Sequence, residues 1–532
     1  MANRKALQLL GRLLLRTVAI LGLFFFAAPI CGAQAKPPAK PADVPQWLQE
    51  IGRNPELFAE LGRLVTRLQQ EVHLPAARSQ SRLMPLLPET TMSYVALPNY
   101  GTAGHEALDI FRQERQKSAA LRNWWAHGEM AQTGPKLEDS LQKFYQLSQY
   151  LGDELAVSGA SDGHDFKPIF ITEIKKPGLK PVLQQLLKEV TGTSKSDVRI
   201  LEPQDLGAAT ETRAGEGLLL LVRPDYLVAA LDLATLREFN ARLDRGSGGF
   251  ASTAFGKRVL RAYEDNVTMV AAMDMQSIVS RFPANTPKDL KDLAAFRRTG
   301  FADMKYLVLE HTSVGGHDVS RSELSFTGPR HGIASWLAAP GPLGSLDFAS
   351  PKAVMAAAIV LSDPARIFED IRGFATASDP KAFAGVTRAE QALHLSLRDD
   401  FLRLLGGEIA VELESITPPA PVWKVVLQVT DPVHLQRTLD TVQASMQLQP
   451  RRFDDAGVSY RVLEIPGKKP TNITYTLVDG YLVIASSPED AVEAVRLHRS
   501  GGSLQKSRRL LAALPPGHPA GVSALLFQDP SV

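Results

Sequence analysis

With 532 residues the chain is too long for one ordinary hydrophobic core, and two or three domains are expected. Its 44% apolar and 22% charged residues are the proportions of a globular protein and exclude a disordered chain. The formal charge of +2 is near neutral, and neither a basic domain nor an Arg/Lys stripe with interleaved aromatics occurs, so no nucleic-acid partner is expected.

Residues 1–35 read as a secretory signal peptide. Arg4, Lys5, Arg12 and Arg16 make a basic start, "TVAILGLFFFAAPI" an apolar run, and Ala33-Gln34-Ala35 a small-x-small cleavage site. The run is short of the about 20 residues a membrane span needs, with a retained signal anchor as the alternative. Cys31, the only cysteine, follows Ile30 rather than the small residue of a lipoprotein site, so it is expected to leave with the leader. A mature chain from Lys36 then has no disulfide, no thiol chemistry and no membrane span, and an address in the periplasm or at the cell surface.

Residues 36–85 comprise the Pro-rich spacer "KPPAKPADVP" and the helix-periodic "PELFAELGRLVTRLQQEV". Leu57, Leu61, Leu64, Leu68 and Val72 fall on one face of that helix, with Asn54-Pro55-Glu56 as its start. The stripe is expected to pack on its own domain, with a partner-binding or coiled-coil helix as the alternative.

Residues 86–283 and 350–532 read as two copies of one unit. "LSQYLGDELAVSGAS" near Tyr150 is echoed by "LRLLGGEIAVELESI" from Leu402. Further on, "IFITEIKKPGLKPVLQQLLKEV" answers "VWKVVLQVTDPVHLQRTLDTV", "VRILE" answers "YRVLE", and "LLLLVRPDYLVAALD" answers "ITYTLVDGYLVIASS". A helix stopped by a Gly pair and a final strand ("NVTMVAAMD", "GVSALLFQD") complete each copy, and upstream "PETTMSYVAL" resembles "PKAVMAAAIV". The offset holds at 253–255 residues at most anchors, rising to 262 where the first copy has a longer loop after Glu202.

Strands, hairpins with turn signals at Pro224-Asp225 and Asp479-Gly480, and short crossovers predict an α+β fold, each copy a mainly antiparallel sheet with helices on one face and some strands covered on both. Gly152 and Gly406 are expected as left-handed helix stops, with Glu154 and Glu408 as outward carboxylates opening the next strand. Residues 284–349 read as a hairpin turning at Gly315-Gly316 and a Pro/Gly connector. The second copy stops early at Val532; were it truncated, an exposed sheet edge near Phe527 would invite association.

No catalytic, cofactor-binding or metal residue is assigned. "DGHDF" (Asp162, His164, Asp165) and "GGHDV" (His317, Asp318) read as turns rather than metal sites. "SLQK" (Ser503 to Lys506) fits Ser-x-x-Lys without the Lys-Thr-Gly companion. The ligand-surface candidates are Trp124 and Trp125 in "RNWWAHGEM", adjacent tryptophans that cannot both face one core. They make either an inter-helix or interdomain contact or a platform for a sugar or hydrophobic ligand.

"LPETTMSYVALPN", "SFTGPRHGIASWLA", "SLDFASPKAV" and "VDGYLVIASSPEDAVEAVRLHRSGGSLQKS" resemble a family of exported bacterial proteins, common in acidobacteria-type genomes, catalogued only as a domain of unknown function. The likeness runs from about Pro88 onward and implies export, but transfers no catalytic or binding residue. The expected function is therefore that of a non-enzymatic envelope protein, binding a protein or other ligand through two related domains. A periplasmic lipid or hydrophobe carrier, and a hydrolase with a site between the copies, are the alternatives.

Overall fold

A computed structural model describes residues 55–529, except 162–165, 192–197, 210–216, 247, 282–286, 315–316, 416–420, 466–470 and 515–520. The leader with Cys31, the Pro-rich spacer, Asp162, His164 and Asp165, and the Gly315-Gly316 turn lie outside the described residues. The chain divides into two units, one running to Phe282 and including Lys305–Ser325, the other made of Pro283–Met304 and Phe326 onward.

Helix α1 (Pro55–Glu71) opens the first unit. Leu57 and Leu64 are buried, and α1 packs on helices α2 (Gly101–Lys117) and α3 (Ala119–Ala126) of its own unit, so the apolar stripe serves the domain that carries it. Strand β1 (Thr91–Pro98) precedes these helices, and α4 (Met130–Ser148) leads into β2 (Leu151–Ser161) and β3 (Phe166–Ile174). Then follow α5 (Leu179–Thr191), β4 (Val198–Leu201), β5 (Leu218–Val222), β6 (Tyr226–Ala230), α6 (Leu233–Arg245), α7 (Ala254–Glu264), β7 (Met269–Asp274) and α8 (Met275–Val279).

The nine strands of this sheet run β4-β5-β6-β3-β2-β1-β7-β8-β9, where β8 (Met304–Val314) and β9 (His317–Phe326) are the hairpin expected in the connector. It extends the first sheet instead, through antiparallel pairing of β8 with β7.

The second unit carries α9 (Pro287–Arg298), β10 (Met355–Val360), α10 (Pro364–Ser378), α11 (Ala384–Leu393), β11 (Leu405–Ser415), β12 (Val422–Val429) and α12 (Pro432–Ser445). After these come β13 (Arg451–Asp455), β14 (Val458–Ile465), β15 (Thr471–Val478), β16 (Tyr481–Ala485), α13 (Pro488–Ser500), α14 (Arg508–Ala513) and β17 (Ala524–Gln528). Its strand order, β13-β14-β15-β16-β12-β11-β10-β17, repeats β4-β5-β6-β3-β2-β1-β7 position for position, with β13 added at the edge. Both units are thus α+β with mainly antiparallel sheets.

Helices cover both faces of each sheet, not one. In the first, Tyr94, Ala156, Ile171, Leu221, Val228 and Val270 alternate onto the face under α6 and α7, where Leu236, Phe239, Val259 and Tyr263 meet them. Leu151, Leu155, Phe170 and Leu227 point to the opposite face, under Leu179 and Leu183 of α5. The second sheet repeats this: α13 and α14 cover Ala358, Ala410, Val426 and Val483, while Leu435 of α12 covers Val429 and Leu482. Each fully buried Leu or Val contributes roughly 1.5–3 kcal/mol, so a strand with apolar residues on both faces is held twice.

Local signals end these elements as the sequence implies. Asp232 caps α6, accepting from Thr235 N at 2.7 Å, and Ser487 caps α13 ahead of Pro488. Gly246 (φ 70°) and Gly501 (φ 73°) stop the two helices in the left-handed conformation. Asp479 (φ 50°) and Gly480 (φ 80°) make the β15–β16 turn, both central residues having the positive φ of a tight hairpin.

Gly152 and Gly406 do not stop helices. They lie inside β2 and β11, each within an irregularity where four positions pass two on the partner: Leu151 to Leu155 against Ile174 to Thr172, and Leu405 to Ile409 against Val429 to Leu427. The repeated Leu-Gly-x-Glu phrase therefore encodes a β-bulge in each copy.

Candidate functional site

The two tryptophans sit in the helical layer of the first unit. Ser118 separates α2 from α3 with an extended backbone, and its Oγ accepts from Leu121 N at 3.3 Å. The eight-residue α3 then carries Trp124 and Trp125 in its last turn, against α2 and α4. Both are half-buried.

Trp125 is held from several sides. Its ring centre lies 4.5 Å from that of Phe111 and 5.8 Å from that of Trp124. The Arg115 guanidinium stands 5.6 Å from the Trp125 centroid and 5.5 Å from that of Phe111. Across from them, a Cβ on Gly134 would fall 2.6 Å from the Trp125 ring, so the absent side chain of α4 is what admits the indole.

Glu138 locks the arginines. It accepts from Arg115 Nη1 at 2.6 Å and from Arg112 Nε at 2.9 Å. Burial pushes its carboxyl upward, but the hydrogen bonds of Arg112 and Arg115 outweigh it and hold the pKa below the usual carboxylate range.

A cavity of about 450 Å³ opens here, lined by Arg115, Trp125, Ala126, Ala131, Pro135 and Glu138. It offers an aromatic wall, a proline and two alanines, with one ion pair at the rim. Such a lining can stack a flat or apolar group and hydrogen-bond a hydroxyl through Glu138. It holds no nucleophile paired with a base. Trp124 Nε1, buried and without an acceptor among the described residues, is a donor whose hydrogen bond is unmade. The tandem tryptophans mark this place in the sequence. Phe111, Arg115, Gly134 and Glu138 carry no such mark, since their proximity depends on how three helices pack.

Glu154 and Glu408 face inward, which corrects the expectation of outward carboxylates. Glu154 is 6% exposed and accepts from Tyr263 OH at 2.7 Å and Ser81 Oγ at 2.8 Å, with Tyr94 OH at 3.4 Å and Arg78 Nε at 3.7 Å. The two tyrosine hydroxyls are 2.7 Å apart, and burial raises both pKa values. Glu408, 9% exposed, accepts from Ser345 N at 2.9 Å and Tyr481 OH at 3.3 Å. In each copy the acid ties the segment before the first strand to the strand after the bulge: Ser81 in one, Ser345 in the other. These are structural tethers.

Ser503 takes a structural role as well. Ser503 is 1% exposed, donates to Asp347 Oδ1 at 3.0 Å and begins a short 3-10 turn, whereas Lys506 points to solvent. Asp318 lies 4.0 Å from His311. Among the described residues no three His, Cys, Asp or Glu side chains gather as metal ligands, and no helix is long and apolar enough to cross a membrane.

No family model, curated protein or solved structure matches this sequence.

Proposed function

We propose that this chain is a non-enzymatic binding protein exported to the bacterial envelope, and that the Trp125 cavity is a place where it holds a ligand or partner. The observation that carries the reading is the cavity wall itself: an indole fixed by Phe111, Arg115 and the gap at Gly134, facing a space of about 450 Å³. A ring so constrained loses little rotamer freedom on contact, which favours stacking of a sugar or another flat, largely apolar group. The leader-like residues 1–35 and the resemblance to exported bacterial proteins support the address.

The test is native mass spectrometry of the protein purified from its own envelope, beside a Trp125→Ala variant of unchanged melting temperature. A bound mass present in the first and at least tenfold depleted in the second is the expected result. Equal retention in both, or a bare chain in both, overturns the assignment of the cavity. Recovery of the protein in the cytoplasmic fraction overturns the assignment of the address.

A further inference from the structure

The second unit carries a different kind of pocket, about 550 Å³ in volume, between the end of α9, the turn at His331-Gly332 and one face of α10. Two glycines build it. Gly300 (φ 80°) follows α9, and a Cβ there would lie 2.0 Å from the His331 carbonyl oxygen; a Cβ on Gly332 (φ 55°) would lie 2.3 Å from the Arg298 carbonyl oxygen. The basic end of α9 is therefore seated against the turn by backbone contacts that no other residue type allows.

Arg297 and Arg298 form one wall, and Glu369, Asp370, Gly373 and Phe374 of α10 form the other. The acids are already engaged. Glu369 pairs with Arg372 at 3.3 Å and Arg398 at 3.5 Å, and Asp370 accepts from Trp336 Nε1 at 3.0 Å. His331 is likewise held, its Nε2 2.7 Å from Asp303 Oδ2. Neither Arg297 nor Arg298 has a carboxylate partner among the described residues; Arg298 instead lies 5.4 Å over the Phe374 ring. The pocket thus presents two unmatched guanidinium groups beside an aromatic face, with open space over Gly373.

We propose that this pocket binds a small organic anion, its carboxylate or phosphate taken by Arg297 and Arg298 and its apolar part laid against Phe374. Guanidinium groups suit planar, forked recognition of either head group; Arg372 and Arg398 offset Glu369, and the charge Asp370 keeps beside the neutral Trp336 indole is outnumbered by the two arginines. The site is separate from the Trp125 cavity and does not depend on it.

The test is a calorimetric and ligand-observed NMR titration of the whole chain with phenyl phosphate, inorganic phosphate and 3-phenylpropionate. Saturable binding of at least one aromatic anion, tighter than inorganic phosphate and weakened by salt, is expected. The Arg297→Gln/Arg298→Gln pair should weaken it at least tenfold while lowering the melting temperature by only a few degrees, because among the described residues the two exposed side chains make no ion pair, and the Phe374 stack is what is lost. Trp125→Ala should leave it unchanged, so the two cavities are read independently. Preference for phenyl phosphate or for phenylpropionate identifies the head group. Absence of saturable binding at millimolar concentration, or full binding by the double variant, overturns the proposal.

Discussion

The glycines of the repeated phrase differ in what they tolerate. A Cβ on Gly406 would meet Gln428 Oε1 at 2.3 Å, the far end of a side chain that can turn aside. A Cβ on Gly407 would meet the Leu361 carbonyl oxygen at the same 2.3 Å, and that backbone is pinned because Leu361 N donates to Gly407 O at 2.8 Å. The first copy makes the matching bond from Asn99 N to Asp153 O, at 2.9 Å, but places a side chain at the position Gly407 holds. Gly407→Ala is therefore expected to destabilise the second unit by about 2–3 kcal/mol, and Gly406→Ala by roughly 1 kcal/mol or less. Urea unfolding of the two variants checks the order; equal losses would contradict it. The two copies share Gly152 and Gly406, yet the more constrained position, Gly407, is one that they do not share.

Strand pairs show where two copies of one element have diverged. Glu412 on β11 stands opposite Lys424 on β12, both buried: Nζ lies 3.2 Å from Glu412 and 3.4 Å from Glu414, and Ser350 N donates to Glu412 at 2.9 Å. The corresponding cross-strand pair in the first sheet is Ser158 opposite Ile169, a fold position filled without charge. At pH 8, above the pKa of Glu412, Lys424→Ala leaves a buried acid without its cation and should cost about 3–5 kcal/mol. Lys424→Met combined with Glu412→Gln removes both charges, keeps an acceptor for Ser350 N and should lie within about 2 kcal/mol of the parent chain; chemical denaturation of the single and double variants measures both. Direction diverges too. "VRILE" and "YRVLE" look equivalent, but β4 lies parallel to β5 while β14 lies antiparallel to β15. A parallel pair needs a crossover, and the longer loop after Glu202 is that crossover. Register does not diverge: Ser93 and Met355 hold the same place, opposite Met273 and Gln528, so matching Met92 with Met355 by sequence is one residue out. A one-residue misalignment assigns every side chain of a strand to the wrong face.

At the scale of the molecule, the buried carboxylate makes the second unit pH-sensitive in a way the first does not share at Ser158. Burial, only partly offset by Lys424, raises the Glu412 pKa from 4.5 to about 7. The native state therefore holds a proton that the unfolded chain has released between about pH 4.5 and 7, and stability falls as pH rises through that window, then levels. The full loss across the window is roughly 3–4 kcal/mol. Hydrogen exchange of β11 and β12 peptides from pH 5 to 8, corrected for intrinsic rates, should show falling protection that Glu412→Gln flattens. Unchanged protection across the window in the parent chain would contradict the assignment.

Signals that act over a few residues are legible in the sequence. The Gly pair that ends each repeated helix, the Asp479-Gly480 turn and the chain order of the repeated phrases all depend on neighbours along the chain, whereas the strand order the two sheets share, β4-β5-β6-β3-β2-β1-β7 in the first, is not the chain order. The tandem Trp124-Trp125 marked one cavity for the same reason. What only the tertiary structure decided is which way side chains face. A bulge two residues past its partner strand turns Glu154 and Glu408 inward, a crossover reverses β4, and Arg297, Arg298 and Phe374 become neighbours although α9 and α10 lie far apart in the chain. Burial and pairing are set by register and packing between distant segments, and no periodicity within one segment encodes them.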